Sequence, residues 1–86
     1  MRSLSVRFLT RQGCHLCDQA RPYVTRAARL MNVAVVEVDI DTDPELVARY
    51  GLRIPVILGA HDTVLAEGVI DDARLLREAL KAGIDR

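Results

Sequence analysis

A chain of 86 residues, half of them apolar, makes one domain with room for a single modest core, close to the size below which small folds need staples. Twelve basic residues balance twelve acidic ones and aromatics make up only 3%, which excludes a basic nucleic-acid footprint and a base-stacking platform. Two cysteines are too few for a secreted disulfide scaffold, and no apolar run is long enough to span a bilayer.

The opening Met1-Arg2-Ser3-Leu4-Ser5-Val6-Arg7-Phe8-Leu9 is broken by arginine and serine before an apolar leader core can form, so a cytoplasmic protein is the expectation. Leu4, Val6, Phe8 and Thr10 alternate with Ser5 and Arg7, the period of a strand with one face buried. Gln12-Gly13 ends it. From Cys14 onward Cys17, Ala20, Val24, Ala27, Ala28 and Met31 recur at spacings of three and four, which predicts an amphipathic helix that Pro22 should kink. Asn32 reads as its stop. Val33 to Ile40 is a valine-rich run of the kind found in strands covered on both faces. Strand, helix, strand in that order predicts a parallel pair with a right-handed crossover.

Asp43 and Pro44 read as N-cap and first residue of a short helix through Tyr50, with Gly51 as a left-handed cap and Leu52 packing behind it. Pro55–Leu58 and Thr63–Glu67 are strand candidates joined by Gly59-Ala60-His61-Asp62, a loop of hairpin length. Asp71-Asp72 caps a last helix in which Leu75, Leu76, Ala79 and Leu80 form the buried stripe and Gly83 the stop. The order is βαβ then ββα, with a short helix after the second strand. It predicts an α/β domain over residues 1–86, a four-stranded mixed sheet with helices on both faces.

The two cysteines fall where the first strand gives way to the helix, as Cys14-His15-Leu16-Cys17. Ligands of open α/β sheets gather outside the carboxyl ends of the parallel strands. A helix N-terminus offers unpaired N–H groups and partial positive charge to a thiolate, so Cys14 reads as the reactive sulfur. Cys17, one turn on, would lie about 5–6 Å away, within disulfide reach. In a reducing compartment the pair points to redox or metal chemistry rather than stapling. Two buried apolar thiols are the bland alternative, and zinc a third, although His15 and His61 do not complete a visible ligand set.

His15 is a candidate to raise the thiolate fraction by its charge; otherwise it is an exposed polar residue, as is His61, while Tyr23 and Tyr50 read as packing residues. Arg2, Arg7, Arg11, Arg21, Arg26 and Arg29 crowd the first third, whereas Glu37, Asp39, Asp41, Asp43 and Glu45 follow without a basic residue between them. Two solvated faces are the plain reading. The sharper one is a basic rim near the cysteines that draws an anionic thiol or an acidic partner.

Four features in this order resemble the thioredoxin-fold superfamily and, within it, small glutaredoxin-like proteins, over nearly the whole chain. They are Cys14-His15-Leu16-Cys17, Pro22 five residues beyond the second cysteine, Ile54-Pro55 at the third strand, and Gly68 followed by Asp71 before the last helix. The resemblance implies a thiol–disulfide oxidoreductase in which Cys14 attacks and Cys17 resolves a mixed disulfide. It also implies a cis Pro55 against the active-site sulfurs, backbone at Ile54 pairing with a peptide or glutathione, and Arg11, Gly68 and Asp71 holding glutathione. The chain departs from the glutaredoxin pattern at three places. His15-Leu16 replaces a proline–aromatic pair, Arg53 stands for a threonine, and Glu67 for the first of two glycines. Arg53 is itself able to hold a carboxylate bidentately.

The expected site is therefore Cys14 and Cys17 as catalytic pair, Arg11, Arg53, Ile54, Pro55, Gly68 and Asp71 as substrate contacts, and His15 as modulator, with no metal. No tightly bound cofactor is expected, and glutathione is a candidate reductant. The expected partner is a disulfide-containing protein or a low-molecular-weight thiol, with no nucleic acid and no membrane, acting on a monomer. The alternative is a binding module, either an iron–sulfur cluster held between two copies through Cys14 and external thiols, or a redox-inert interaction domain.

Overall fold

The computed structural model describes residues 4–84; Arg2 of the basic first third lies outside them. In chain order the elements are β1 (Ser5–Thr10), α1 (His15–Met31), β2 (Ala34–Asp39), a 3-10 turn at Ile40–Thr42, α2 (Pro44–Tyr50), β3 (Val56–Leu58), β4 (Val64–Glu67) and α3 (Ala73–Ile84). The sheet order is β2-β1-β3-β4. β1 runs parallel to β2 and antiparallel to β3, which is antiparallel to β4. Thr10 pairs with Asp39, Leu9 with Val56, and Val56 with Glu67. The carboxyl ends of β1, β2 and β4 and the start of β3 thus share one end of the sheet, and Cys14 follows β1 at that end.

Two cores lie on the two faces. Val6, Phe8 and Ile57 pack with Ala20, Val24 and Ala27 of α1 and Leu76 and Leu80 of α3. On the other face Leu9, Val56 and Leu58 pack with Ile40, Tyr50 and the partly buried Val47 of α2. Burial of successive residues Phe8 and Leu9, 1% and 0% exposed, makes β1 a strand covered on both sides, as β3 is too. The alternating pattern of β1 and the valine run of β2 point the other way, and the structure reverses them. β2 is an edge strand with Val36 half exposed. Its valines express β-propensity rather than double burial, because β3 pairs with β1 and takes the inner place beside it.

Helix α1 is capped by Cys14 and closed by Asn32, whose φ of 56° is the left-handed stop. Pro22 lies inside it. Gly51 departs from expectation: its φ is −55°, and Leu52 is fully exposed rather than packed behind it. The chain turns there because the N–H groups of Arg53 and Ile54 both return to Tyr50 O, at 2.8 and 3.1 Å, so no left-handed residue is needed.

The hairpin between β3 and β4 turns on His61 and Asp62, with φ of 57° and 58°, and Thr63 N–H donates to Ala60 O at 3.1 Å. Two consecutive left-handed residues make a type I′ turn, which matches the twist of the strands. Arg7 of β1 pairs with Asp62 of this turn. For α3 the cap is Asp72 alone, which accepts from the N–H groups of Arg74 and Leu75 at 2.9 and 3.2 Å. Leu76 and Leu80 are buried and Ala79 half-buried, whereas Leu75 is 68% exposed, one residue off the line that faces the sheet. Gly83 lies within the helix rather than after it. A Cβ there would collide with Leu65 Cδ2, so close packing of β4 against α3 accounts for the glycine.

Candidate functional site

The turn from β1 into α1 is set by Gly13, whose φ of 77° is left-handed, and by Cys14 N–H donating to Arg11 O at 3.2 Å. Cys14 is thereby the N-cap residue. Its Sγ accepts the Cys17 N–H at 3.1 Å, doing for one orphan donor of the helix what a serine or aspartate oxygen does elsewhere. Cys14 and Cys17 form a disulfide with a Cα separation of 5.2 Å. Cys14 is partly exposed and Cys17 fully buried, so one sulfur faces an incoming group and the other stands behind it. His15 and Leu16, between them, both face solvent.

The Ile54–Pro55 peptide is cis. Pro55 is buried, and its carbonyl accepts the Gly68 N–H at 2.9 Å, which joins two of the expected contacts directly. Gly68 has φ 79°. The Ile54 N–H is turned back to Tyr50 O, so of the backbone groups at that residue the carbonyl is the one on offer to a partner.

Both arginines expected to contact substrate are already paired. Arg11 Nε donates to Asp41 Oδ2 at 3.2 Å and its Nη2 to Asp41 Oδ1. Arg53 donates from Nε and Nη2 to the two oxygens of Glu67, each at 3.0 Å, and lies over the Tyr50 ring. The hydrogen bonds from Arg11 and Arg53 hold the Asp41 and Glu67 carboxyls below the usual carboxylate range, and the arginines rise in turn. Asp71 is exposed and, among the described residues, makes no side-chain hydrogen bond or ion pair; it borders a surface groove with Tyr23, Arg26 and Arg77.

A second polar cluster was not visible as such in the sequence. Thr10, 4% exposed, donates from Oγ1 to Glu37 Oε2 at 3.1 Å. Arg21 grips the same carboxylate at 3.0 and 2.7 Å and reaches Asp18 at 2.9 Å. Arg21 holds the Glu37 carboxyl low, against the upward pull of partial burial and with help from Thr10. The cluster lines an open groove of about 440 Å³ beside the cysteine turn. The basic and acidic blocks are thus not two separate solvated faces: Arg11 meets Asp41 and Arg21 meets Glu37. Parallel pairing of β1 with β2 is what brings them together, and the acidic run following directly on β2 was the available signal. Among the described residues, no three His, Cys, Asp or Glu side chains gather as a metal-binding group.

The glutaredoxin-like domain family (DUF836) matches residues 5–85. The chain belongs to that family. A protein from X. campestris, solved by X-ray crystallography as structural genomics target XcR50, is 35% identical, with a TM-score of 0.74 over 90% of this chain and 96% of that one. A mutant thioredoxin of Halobacterium salinarum has a TM-score of 0.69 at 22% identity, over 95% of this chain and 75% of that one. The thioredoxin of Fasciola hepatica has a TM-score of 0.65 at 24% identity, over 94% and 81% of the two chains. These share the fold of this glutaredoxin-like chain. No curated protein matches the sequence. Among the described residues no helix is long and apolar enough to cross a membrane.

Proposed function

We propose that this protein is a glutaredoxin-like thiol–disulfide oxidoreductase that works on disulfides of proteins or of low-molecular-weight thiols. One observation carries the reading: a partly exposed sulfur that caps a helix is disulfide-bonded to a fully buried sulfur one turn on. In the reduced protein the Cys17 N–H and the positive end of α1 would favour the Cys14 thiolate. That thiolate bonds to one sulfur of the substrate disulfide, and the other sulfur leaves as a thiolate. Cys17 then gives its proton to solvent and bonds to Cys14 Sγ, which releases the first substrate sulfur. The substrate gains two electrons and the Cys14–Cys17 dithiol loses two.

Ile54, Pro55 and Gly68 supply the backbone wall beside the sulfurs, Arg11, Arg53 and Asp71 its charged rim, and His15 tunes the thiolate. Family membership and the thioredoxin-fold neighbours support this reading. A monomer in the cytoplasm, with no metal or tightly bound cofactor and with glutathione or another cellular thiol as reductant, completes it. The test is reaction of the reduced protein with a disulfide substrate, followed by mass spectrometry. Native protein should return to the Cys14–Cys17 disulfide, Cys17→Ser should accumulate a mixed disulfide at Cys14, and Cys14→Ser should do neither. Full turnover by Cys14→Ser would overturn the assignment.

A further inference from the structure

One carboxylate shares a helix face with the partly exposed sulfur. Asp18 stands four residues beyond Cys14, a spacing that brings side chains to about 5–6 Å on one side of a helix, and its N–H donates to Cys14 O at 3.1 Å. Asp18 and Gly13, the residue before Cys14, line the same groove. An anion here works against the helix terminus: the positive end of α1 favours a Cys14 thiolate, and a free carboxylate one turn on opposes it. The carboxylate is not free. Arg21 Nη1 donates to Asp18 Oδ1 at 2.9 Å, while Nε and Nη2 are committed to the two oxygens of Glu37 at 3.0 and 2.7 Å. The guanidinium also lies over the Phe8 ring, 5.9 Å from its centre. Residues of β1 and β2 thus fix the cation that α1 carries, and only a planar fork serves both carboxylates at once. Glu37 is held below its usual range and Arg21 above its own, so both charges persist through neutral pH. The other charged groups at this end of the sheet are Arg11 paired with Asp41, Arg53 paired with Glu67, Asp39 accepting the Asp41 N–H, and the exposed Asp71 and His15.

We infer that Arg21 is a positioning residue for the redox pair: it keeps the Asp18 carboxylate turned onto itself and away from Cys14 Sγ, and so holds the reduced state within reach. This rests on the dithiol reading above and adds the residue that sets its poise. Reduction by a dithiol breaks the Cys14–Cys17 bond and delivers two electrons, leaving Cys14 as a thiolate and Cys17 as a thiol. The dithiol becomes a disulfide; one of its two protons goes to Cys17 and the other to solvent. Without Arg21, Asp18 is released to face the new anion, which disfavours the product and returns the pair toward the disulfide.

The full chain is reduced, freed of reductant, and its Cys14 titrated by alkylation rate against pH, with mass spectrometry locating the modified sulfur. Arg21→Met should raise the Cys14 pKa by about 0.5–1 pH unit at low salt, an effect at least halved at high salt. Where Cys14 is ionised in both proteins, the equilibrium constant for reduction by dithiothreitol should fall threefold to tenfold, about 15–30 mV. The same substitution in an Asp18→Asn background should move the pKa by less than about 0.2 pH unit. A thermal melt confirms the fold, and Arg21→Gln, which keeps a donor and the packing over Phe8, is read in the same way where Arg21→Met does not fold. An unmoved pKa, or an equal rise with and without Asp18, overturns the role given to Arg21 and leaves the dithiol chemistry standing. A native disulfide that dithiothreitol does not open and an oxidant does not restore overturns the dithiol reading and this inference with it.

Discussion

Replacing Glu37 by alanine should cost more than loss of a surface charge normally does. The Thr10 hydroxyl, 4% exposed, gives its hydrogen bond to Glu37, and a buried hydroxyl stripped of its partner costs about 1–3 kcal/mol. The Arg21–Glu37 pair is more modest, since the glutamate side chain is 42% exposed and such pairs contribute about 0.2–1 kcal/mol. Together they place Glu37→Ala about 2 kcal/mol below native, which for a domain of this size lowers Tm by about 8–16 °C. Thr10→Val removes the hydroxyl itself, so in that background Glu37→Ala should cost only the ion-pair part. Urea unfolding of the four proteins should give a coupling of about 1–2 kcal/mol, and additivity within about 0.3 kcal/mol would refute the role given to Thr10.

The pH dependence follows from the sign of the glutamate shift. Arg21 holds the Glu37 carboxyl below its usual value of 4.5 in the folded state. The stabilisation is therefore present above that value and lost as pH falls through the folded one. The gap between native and Glu37→Ala should be constant near neutrality and narrow below about pH 4.5.

Three further outcomes test the packing. Leu76→Ala should cost about 2–5 kcal/mol, whereas Leu75→Ala should stay within about 0.5 kcal/mol, and comparable losses in denaturant unfolding would contradict the exposure of Leu75. Gly83→Ala should destabilise by about 1–3 kcal/mol through collision with Leu65, and Leu65→Ala in that background should recover part of the loss. Asp62→Gly should leave stability unchanged or raise it by up to about 1 kcal/mol, because a left-handed turn position gains more from glycine than it loses with the exposed Arg7 pair; a fall of about 1 kcal/mol on thermal unfolding would contradict this.

The elements were largely legible because their punctuation is chemical: Asn32 stops α1, Asp43-Pro44 starts α2 and Asp72 caps α3. What misled was the inference from pattern to position in the sheet. Alternation in β1 and continuity in β2 report which residues suit a pleated surface, but the inner place is decided by which strand β3 pairs with, and that is a long-range choice. Gly51 and Gly83 misled in a similar way, since a glycine at a helix end is read as a cap although a turn back to Tyr50 and a close neighbour at Leu65 set their places. The closeness of the two cysteines was legible because one helical turn fixes it, whereas Pro55 and Gly68 were named through the resemblance, and the structure joins them by one backbone hydrogen bond. The carboxylates that close Arg11 and Arg53 were missed because they arrive 30 and 14 residues further along the chain.

The sulfur that caps α1 gives the protein a built-in gauge. One amide proton, that of Cys17, points at Cys14 Sγ. In the proposed exchange it would face in turn the sulfur of the disulfide, of the reduced thiol pair and of a mixed disulfide. In a sample labelled with the nitrogen isotope, that one nuclear magnetic resonance cross-peak would follow the exchange with no bulky probe attached near the sulfurs.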